Sequence, residues 1–177
     1  MLEKNKELWE RCVAFHGHAC GGLAVGYQAS LYAMELLGVS GRAQDEELVC
    51  VTENDACGVD AVQAVLGCTV GKGNLIFRMT GKQAFNFFDR QSGKGVRLLL
   101  RATPGLSRQE RESWLMHGDF HEMFDVGPAR AVLPETARIF KTCTCAKCGE
   151  RMAESHAHLQ NGEIVCDDCF APYTRGL

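Results

Sequence analysis

The sequence predicts a mixed α+β domain followed by a small cysteine-rich domain. Over the larger part of the chain, stretches with helical periodicity alternate with short apolar runs of strand length. After Lys141 the composition changes to cysteine and polar residues. The 177 residues, 46% of them hydrophobic, suit one core-forming domain with a small appendage. We expect the two domains to span residues 1–137 and 138–177.

The chain begins with two predicted helices, over residues 1–15 and 19–37. In the second, apolar residues recur at steps of three and four, which places them on one face of a helix: Leu23, Tyr27, Leu31, Met34 and Leu37. Small residues lie between them and would allow close helix packing: Ala24, Gly26, Ala29, Ser30 and Ala33. Gly38 suits the C-terminal stop.

Strands and two further helices complete the predicted core. The strands are expected at residues 48–52, 75–79, 84–88 and 96–100. A short helix over residues 59–66 should end at Gly67, and a longer one should cover residues 107–124. Ser107 followed by Glu110 is typical of a capped helix start. Two prolines indicate a linker to the second domain: Pro128 and Pro134.

Charge and hydropathy exclude several classes of protein. The net charge of −3 provides no basic field for nucleic acid and no polybasic membrane patch. No apolar run reaches the roughly 18 residues of a spanning helix, and the start MLEKNKELWE lacks a signal-peptide core. The ten cysteines divide into two groups of odd number, five and five, which argues against two closed disulfide frameworks. We therefore expect a cytoplasmic protein with reduced thiols and metal sites.

Two cysteine pairs near the end form the strongest signal in the sequence. Cys145 and Cys148, followed by Gly149, precede Cys166 and Cys169 by a spacer of 17 residues. Two such CxxC turns supply the four thiolates of a tetrahedral Zn²⁺ site. A segment this short has almost no core of its own, so the metal would supply its folding free energy. Four cysteine ligands leave no coordination position on the metal for water or substrate. We therefore expect a structural zinc finger rather than a catalytic site.

The remaining residues of this segment are consistent with a finger. Asn161–Gly162 lies between two short runs and predicts a type I′ hairpin between the two cysteine pairs. The alternatives are two disulfides, four free thiols, or replacement of a cysteine ligand by His156 or His158. Cys143 is a spare thiol to which we assign no role.

The second signal is FHGHACGG, which places His16, His18 and Cys20 within five positions at the start of the second helix. A helix reaching back to His16 would place it on one face with Cys20. A helix starting near Ala19 would place Cys20 in its first turn, where the helix dipole stabilises a thiolate. Both arrangements suit a metal ligand or a nucleophile. The structural alternative is a turn with hydrogen-bonded imidazoles and a packed cysteine.

A third stretch, ENDACGVD, follows a predicted strand and brings Cys57 and Asp60 to a helix start. Asp55 is a candidate cap of that helix, and the structural alternative is a cap with a buried cysteine. Cys68 suits either a core or a site role. Two ligand-rich turns at helix starts are expected to meet in one cleft.

Three segments resemble the FmdE family, proteins similar to the FmdE component of molybdenum or tungsten formylmethanofuran dehydrogenase. They are FHGHACGGLAVGYQA, ENDACGVDAVQAVLGCTVGKGN and GKQAFNF. The resemblance covers most of residues 9–125, with Gly21 where the family usually has proline. It implies an α+β core, a C-terminal zinc finger and intertwined homodimers, and the finger here resembles the TraR/DksA type. Carried over by motif, the cleft residues are His16, His18, Cys20, Cys57 and Asp60.

The ligand chemistry refines this expectation. Imidazole and thiolate together favour Zn²⁺, Ni²⁺ or Fe²⁺ over Mg²⁺ or Ca²⁺. We expect an open metal site at His18, Cys20 and Cys57, with His16 as an additional or outer ligand. Asp60, one helical turn beyond Cys57, would hold a ligand imidazole or a bound water.

Three functions follow as hypotheses. The first is a metal-handling or metal-dependent accessory role linked to molybdenum or tungsten enzymes. The second is regulatory, with the finger binding a protein, or less favourably nucleic acid, while the core dimerises. The third is an enzyme that uses a metal-activated water or the Cys20 thiolate, with Asp60 or Glu53 as the base.

Overall fold

The computed structural model describes residues 6–103 and 105–175 of the chain. It divides into two units, Met1–Thr136 and Ala137–Leu177. The first combines helices with a five-stranded sheet, and the second carries two-stranded sheets and a cluster of four cysteines. The predicted α+β core followed by a small cysteine-cluster region is confirmed.

The elements of the first unit alternate along the chain. Its helices in the described residues are α1 Lys6–His16, α2 Gly21–Leu37, α3 Gly58–Leu66, α4 Arg108–His117 and α5 Phe120–Met123. Its strands are β1 Leu48–Thr52, β2 Leu75–Phe77, β3 Ala84–Asp89, β4 Gly95–Leu100 and β5 Phe124–Pro128. The strand order is β2-β1-β3-β4-β5, with β1 and β2 parallel and the other pairs antiparallel. Among the described helices, none combines the length and apolar character that crossing a membrane requires.

The main core lies between α2, α3 and one face of the sheet. Its largest members that are almost completely shielded from solvent are Leu23, Tyr27, Phe85, Phe87, Leu98, Met123 and Phe124. The other face of the sheet has a smaller apolar cluster, in which Val49, Val51 and Phe88 pack against residues of the 129–133 segment. A sheet covered on both sides explains why every residue of β1 and β3 is buried.

Helices α2 and α3 cross at two glycines. A Cβ atom placed on Gly26 would lie 1.9 Å from the carbonyl oxygen of Gly58, so the backbones touch directly. The small residues that lie between the apolar positions of α2 are all buried within the same chain. They therefore serve packing within the fold, and the expectation of a homodimer rests on the family resemblance alone.

The region after residue 106 differs in part from the prediction. The cap is confirmed, since the Ser107 side chain accepts a hydrogen bond from the N–H of Glu110, whose carboxylate accepts the N–H of Ser107. The predicted helix over 107–124 is wrong beyond His117. There Gly118 ends α4, and the Asp119 side chain caps the short α5. The chain then enters β5, an edge strand that pairs with β4 and was expected to be helix and linker.

The second unit consists of two hairpins. Strands β6 Thr142–Thr144 and β7 Arg151–Ala153 pair with each other, as do β8 Ala157–Gln160 and β9 Glu163–Cys166. Asn161 (φ 54°) and Gly162 (φ 84°) both have positive φ, as a type I′ turn requires. The predicted hairpin turn is confirmed.

Candidate metal centres

The cysteine pairs of the second unit meet at one point. The sulfur atoms of Cys145, Cys148, Cys166 and Cys169 all lie within 4.8 Å of one another. The first pair lies on the turn between β6 and β7, where Gly149 has a φ of 76° that suits glycine. The second pair lies where β9 passes into a 3-10 turn, Asp167–Cys169. Four thiols at such spacing suit one tetrahedral ion, with Zn²⁺ as the usual occupant.

Backbone N–H groups favour a thiolate at this cluster. The N–H of Cys166 donates to the sulfur of Cys145 over 3.4 Å. Hydrogen bonds from the backbone of Cys148 and Cys166 lower the pKa of Cys145 to about 6. A ligand thiol must lose its proton to bind metal, and the backbone assists this at Cys145, whereas hydrogen bonding with the Cys166 sulfur raises the pKa of Cys169.

The two histidines of the finger have other partners. His156 Nδ1 lies 2.8 Å from Asp167 Oδ2, and His158 Nε2 lies 2.5 Å from Asp167 Oδ1. The ring of His158 stacks on Phe170 at 4.1 Å. Neither imidazole belongs to the four-sulfur cluster. Cys143, in β6, lies outside it as well.

A second cluster forms in the first unit from the ends of three helices. His16 is the last residue of α1, Cys20 is the N-cap of α2 and Cys57 is the N-cap of α3. Their ligand atoms lie within 4.8 Å of one another, and His16 Nε2 lies 3.9 Å from the Cys20 sulfur. All three side chains are partly buried. The two ligand-rich turns that the sequence places at helix starts therefore meet in the fold.

A carboxylate and an amide fix the orientation of the imidazole. Asp60 Oδ2 lies 2.7 Å from His16 Nδ1, and Gln63 Nε2 donates to Asp60 Oδ1 over 3.3 Å. Since a carboxylate only accepts, a neutral His16 carries its proton on Nδ1 and turns the lone pair of Nε2 toward the sulfurs. This is the usual arrangement behind a metal-binding histidine.

His18 lies outside this group. Its ring is exposed and packs on the ring of His16, with centroids 4.7 Å apart. The structure thus brings His16 together with the two cysteines, where the sequence predicts His18. The reason is local: α1 continues to residue 16, and Gly17 with a φ of 97° turns the chain away before His18.

The two sulfurs of this group are held differently. The Cys20 sulfur accepts the backbone N–H of Leu23 over 3.3 Å, as an N-cap oxygen would. Burial raises the pKa of the Cys57 thiol, and the adjacent Cys20 sulfur raises it further. A Cβ on Gly22 would lie 3.2 Å from Cys57 Cβ, so a glycine here leaves room for Cys57 beside α2.

The other candidate residues have structural roles. Glu53 is buried and bound by Arg97 through two short hydrogen bonds of 2.6 and 2.9 Å. These bonds lower the pKa of Glu53 to about 2. Asp55 is exposed and makes no cap, because Cys57 is the N-cap and no side chain caps α3. Cys68 is buried and donates to the carbonyl of Leu48.

Sequence reasoning missed Gln63, Gly22 and the partner of Glu53. Gln63 stands one helical turn after Asp60, a spacing that would have predicted their contact. Nothing in the sequence connects Glu53 with Arg97, since they meet only through the pairing of β1, β3 and β4.

Comparison with known proteins identifies a family and a relative that this chain resembles. The model of the family described as "FmdE, Molybdenum formylmethanofuran dehydrogenase operon" matches residues 15–149. A probable S-adenosyl-L-methionine-binding protein of Archaeoglobus fulgidus is 31% identical over 79% of this chain. The chain spans 47% of that protein, about half its length.

A solved structure shows the same fold. The crystal structure of a tungsten formylmethanofuran dehydrogenase FmdE-like protein from Syntrophus aciditrophicus matches with a TM-score of 0.64 and 24% identity. The match covers 93% of this chain and 90% of that one. Since the family model spans both ligand-rich turns of the core and the first cysteine pair of the finger, the chain belongs to the FmdE family.

Proposed function

We propose that the core unit binds a transition metal through His16, Cys20 and Cys57. The observation that carries this proposal is the convergence of one oriented imidazole and two thiols from three separate helices. Such a donor set fits Zn²⁺, Ni²⁺ or Fe²⁺. Three protein ligands leave a coordination position for water or a small ligand. A metal bound there would supply a Lewis acid, and Asp60 would hold the ligand imidazole in place.

The role that fits this site is that of a metal-handling or metal-dependent accessory protein related to molybdenum or tungsten formylmethanofuran dehydrogenase. Membership of the FmdE family supports the link to that enzyme. The enzyme alternative has less support, because both acidic residues considered as bases are engaged: Glu53 pairs with Arg97, and Asp60 with His16. His18, exposed beside His16, would serve as an outer group near the open position.

The finger, in this proposal, holds one structural Zn²⁺ at Cys145, Cys148, Cys166 and Cys169 and is of the TraR/DksA type. A second candidate function is the binding of a protein through this finger. It is favoured by Leu159 and Ile164, which pair across β8 and β9 and are 75% and 44% exposed. Because they are directly paired, the two side chains lie on the same face of the hairpin, where together they offer a small apolar contact for a partner.

Two further parts of the proposal concern assembly and compartment. We include a homodimer, for which the family resemblance is the support, with light scattering as its test. A cytoplasmic location is supported by cysteines that divide into two odd groups of five and show metal-ligand spacing, as in chains whose thiols stay reduced.

Metal titration of the full chain tests the proposal. With Zn²⁺ or Ni²⁺, calorimetry and elemental analysis should give two metals per chain, and one in Cys20→Ser or Cys57→Ser. Cys143 lies outside both clusters, so the matched control Cys143→Ser should still bind two metals per chain. If the two core variants bind as much metal as the control, the core site is wrong. S-adenosyl-L-methionine, taken from the name of the archaeal relative, is a ligand to add to the metal-loaded chain.

A further inference from the structure

Two thiols of the core lie side by side, and each belongs to a different helix. Cys20 and Cys57 have their sulfurs within 4.8 Å of each other. A Cβ atom placed on Gly22 would lie 3.4 Å from the sulfur of Cys57 and 3.9 Å from that of Cys20. Both sulfurs therefore border the same small space beside Gly22. Both residues are partly exposed, so a small reagent reaches them.

We propose that Cys20 and Cys57 form a reversible disulfide that withdraws both sulfurs from the metal site, so that metal binding and this disulfide exclude each other. The disulfide needs its sulfurs at about 2.05 Å, so the two sulfurs, now within 4.8 Å, must approach each other when it forms. A sulfur bonded to sulfur is no longer a thiolate and no longer a strong ligand. The exclusion of metal rests on the proposed function.

The oxidant is a small disulfide such as glutathione disulfide. The thiolate of Cys20 attacks one sulfur of the reagent, which breaks its S–S bond and releases one glutathione thiolate that takes up the proton of Cys20. The thiolate of Cys57 then attacks the Cys20 sulfur of the mixed disulfide and releases the second glutathione in the same way. Two protein thiols are oxidised by two electrons, and one glutathione disulfide is reduced to two thiols.

The fold makes this pair selective within the core. The other cysteines of the first unit are Cys12, Cys50 and Cys68, and each is fully shielded from solvent. The zinc-loaded finger holds its own four cysteines as ligands in the proposed function. Cys20 and Cys57 are therefore the reactive thiols of the core.

Peptide mapping tests the inference. The full chain is treated with glutathione disulfide at one zinc per chain and at two, then digested with trypsin without reduction. Cleavage after Arg11, Arg42 and Lys72 yields peptides 12–42 and 43–72, which carry the two cysteines. We expect the joined peptides, two hydrogens lighter than their sum, at one zinc per chain. At two zincs per chain their yield should fall at least tenfold, and dithiothreitol should reverse the link.

Variants locate the link. Cys20→Ser and Cys57→Ser should abolish it. Cys68→Ser, which removes a buried thiol from the same tryptic peptide as Cys57, should leave it unchanged. A link that survives in either of the first two variants joins other cysteines and overturns the inference.

Failure of the disulfide and failure of the proposed metal site give different results. If calorimetry finds the second zinc but glutathione disulfide produces no link, the inference is overturned and the proposed function stands. A link formed equally at one and two zincs per chain also overturns it. If the link forms but no second zinc binds, the proposed function fails and the exclusion of metal fails with it.

Discussion

Replacing Gly26 with alanine should separate α2 from α3 and disturb the core site. The new Cβ would lie 1.9 Å from the carbonyl oxygen of Gly58, against about 3.4 Å for an ordinary contact. The helices must therefore move apart by about 1.5 Å, since both colliding groups belong to rigid helix backbones. Overpacking of this kind costs about 3 kcal/mol at the upper end of its usual range. Alanine recovers about 1 kcal/mol through its higher helix propensity.

The expected net loss is about 2 kcal/mol of unfolding free energy, roughly a factor of 30 in the folding equilibrium. Urea denaturation followed by tryptophan fluorescence measures it, because Trp9 and Trp114 both lie in the first unit. Metal affinity of the core should also fall, since the same movement separates Cys57 from Cys20. Gly71→Ala is the matched control: Gly71 is exposed with nothing within 4 Å of its Cβ position, so it should be neutral or slightly stabilising. If Gly26→Ala and Gly71→Ala unfold at the same urea concentration, the close contact between α2 and α3 is refuted.

Arg97 lowers the pKa of Glu53 from 4.5 to about 2, so the pair stabilises the fold above pH 4.5 and this stability is lost as the pH falls through about 2. The loss should be about 3 kcal/mol in acid denaturation of the first unit and absent in Glu53→Gln. Cys166→Ser should lose the finger zinc and unfold residues 142–171 without changing tryptophan fluorescence; full zinc content in this variant would contradict the assignment. Asp60→Asn should weaken core metal binding by about 10–100-fold in calorimetry, and unchanged affinity would remove the positioning role of Asp60.

In the second unit, the four-cysteine cluster and the turn between β8 and β9 could be predicted from the sequence, whereas the β6–β7 hairpin was not. Ligand spacing, the glycine after Cys148 and the Asn161–Gly162 turn are local signals, and each specifies backbone geometry within a few residues. The helix caps at Gly38, Gly67 and Ser107 were predictable for the same reason.

The core site was predictable in composition but not in detail. Its residue types stand out in FHGHACGG and ENDACGVD, yet the choice between His16 and His18 depends on where α1 ends. Strand β5 was missed because it is short, contains Gly127 and Pro128, and directly follows the short helix α5, so its start at Phe124 resembles the end of a longer helix. Contacts such as that of Glu53 with Arg97 arise from strand pairing across the sheet, which no local pattern encodes.

The three proposed core ligands come from separate helices, so they leave the ribosome at different times. His16 and Cys20 leave the exit tunnel together, but Cys57 follows only after α2, the next loop and β1 have been made. A growing chain therefore offers an incoming ion two donors at first, and the third arrives when α3 docks across Gly26. In the proposed function, the complete metal site therefore forms only once α3 has packed on α2, so the ion would enter a partly folded core rather than the nascent N-terminal segment.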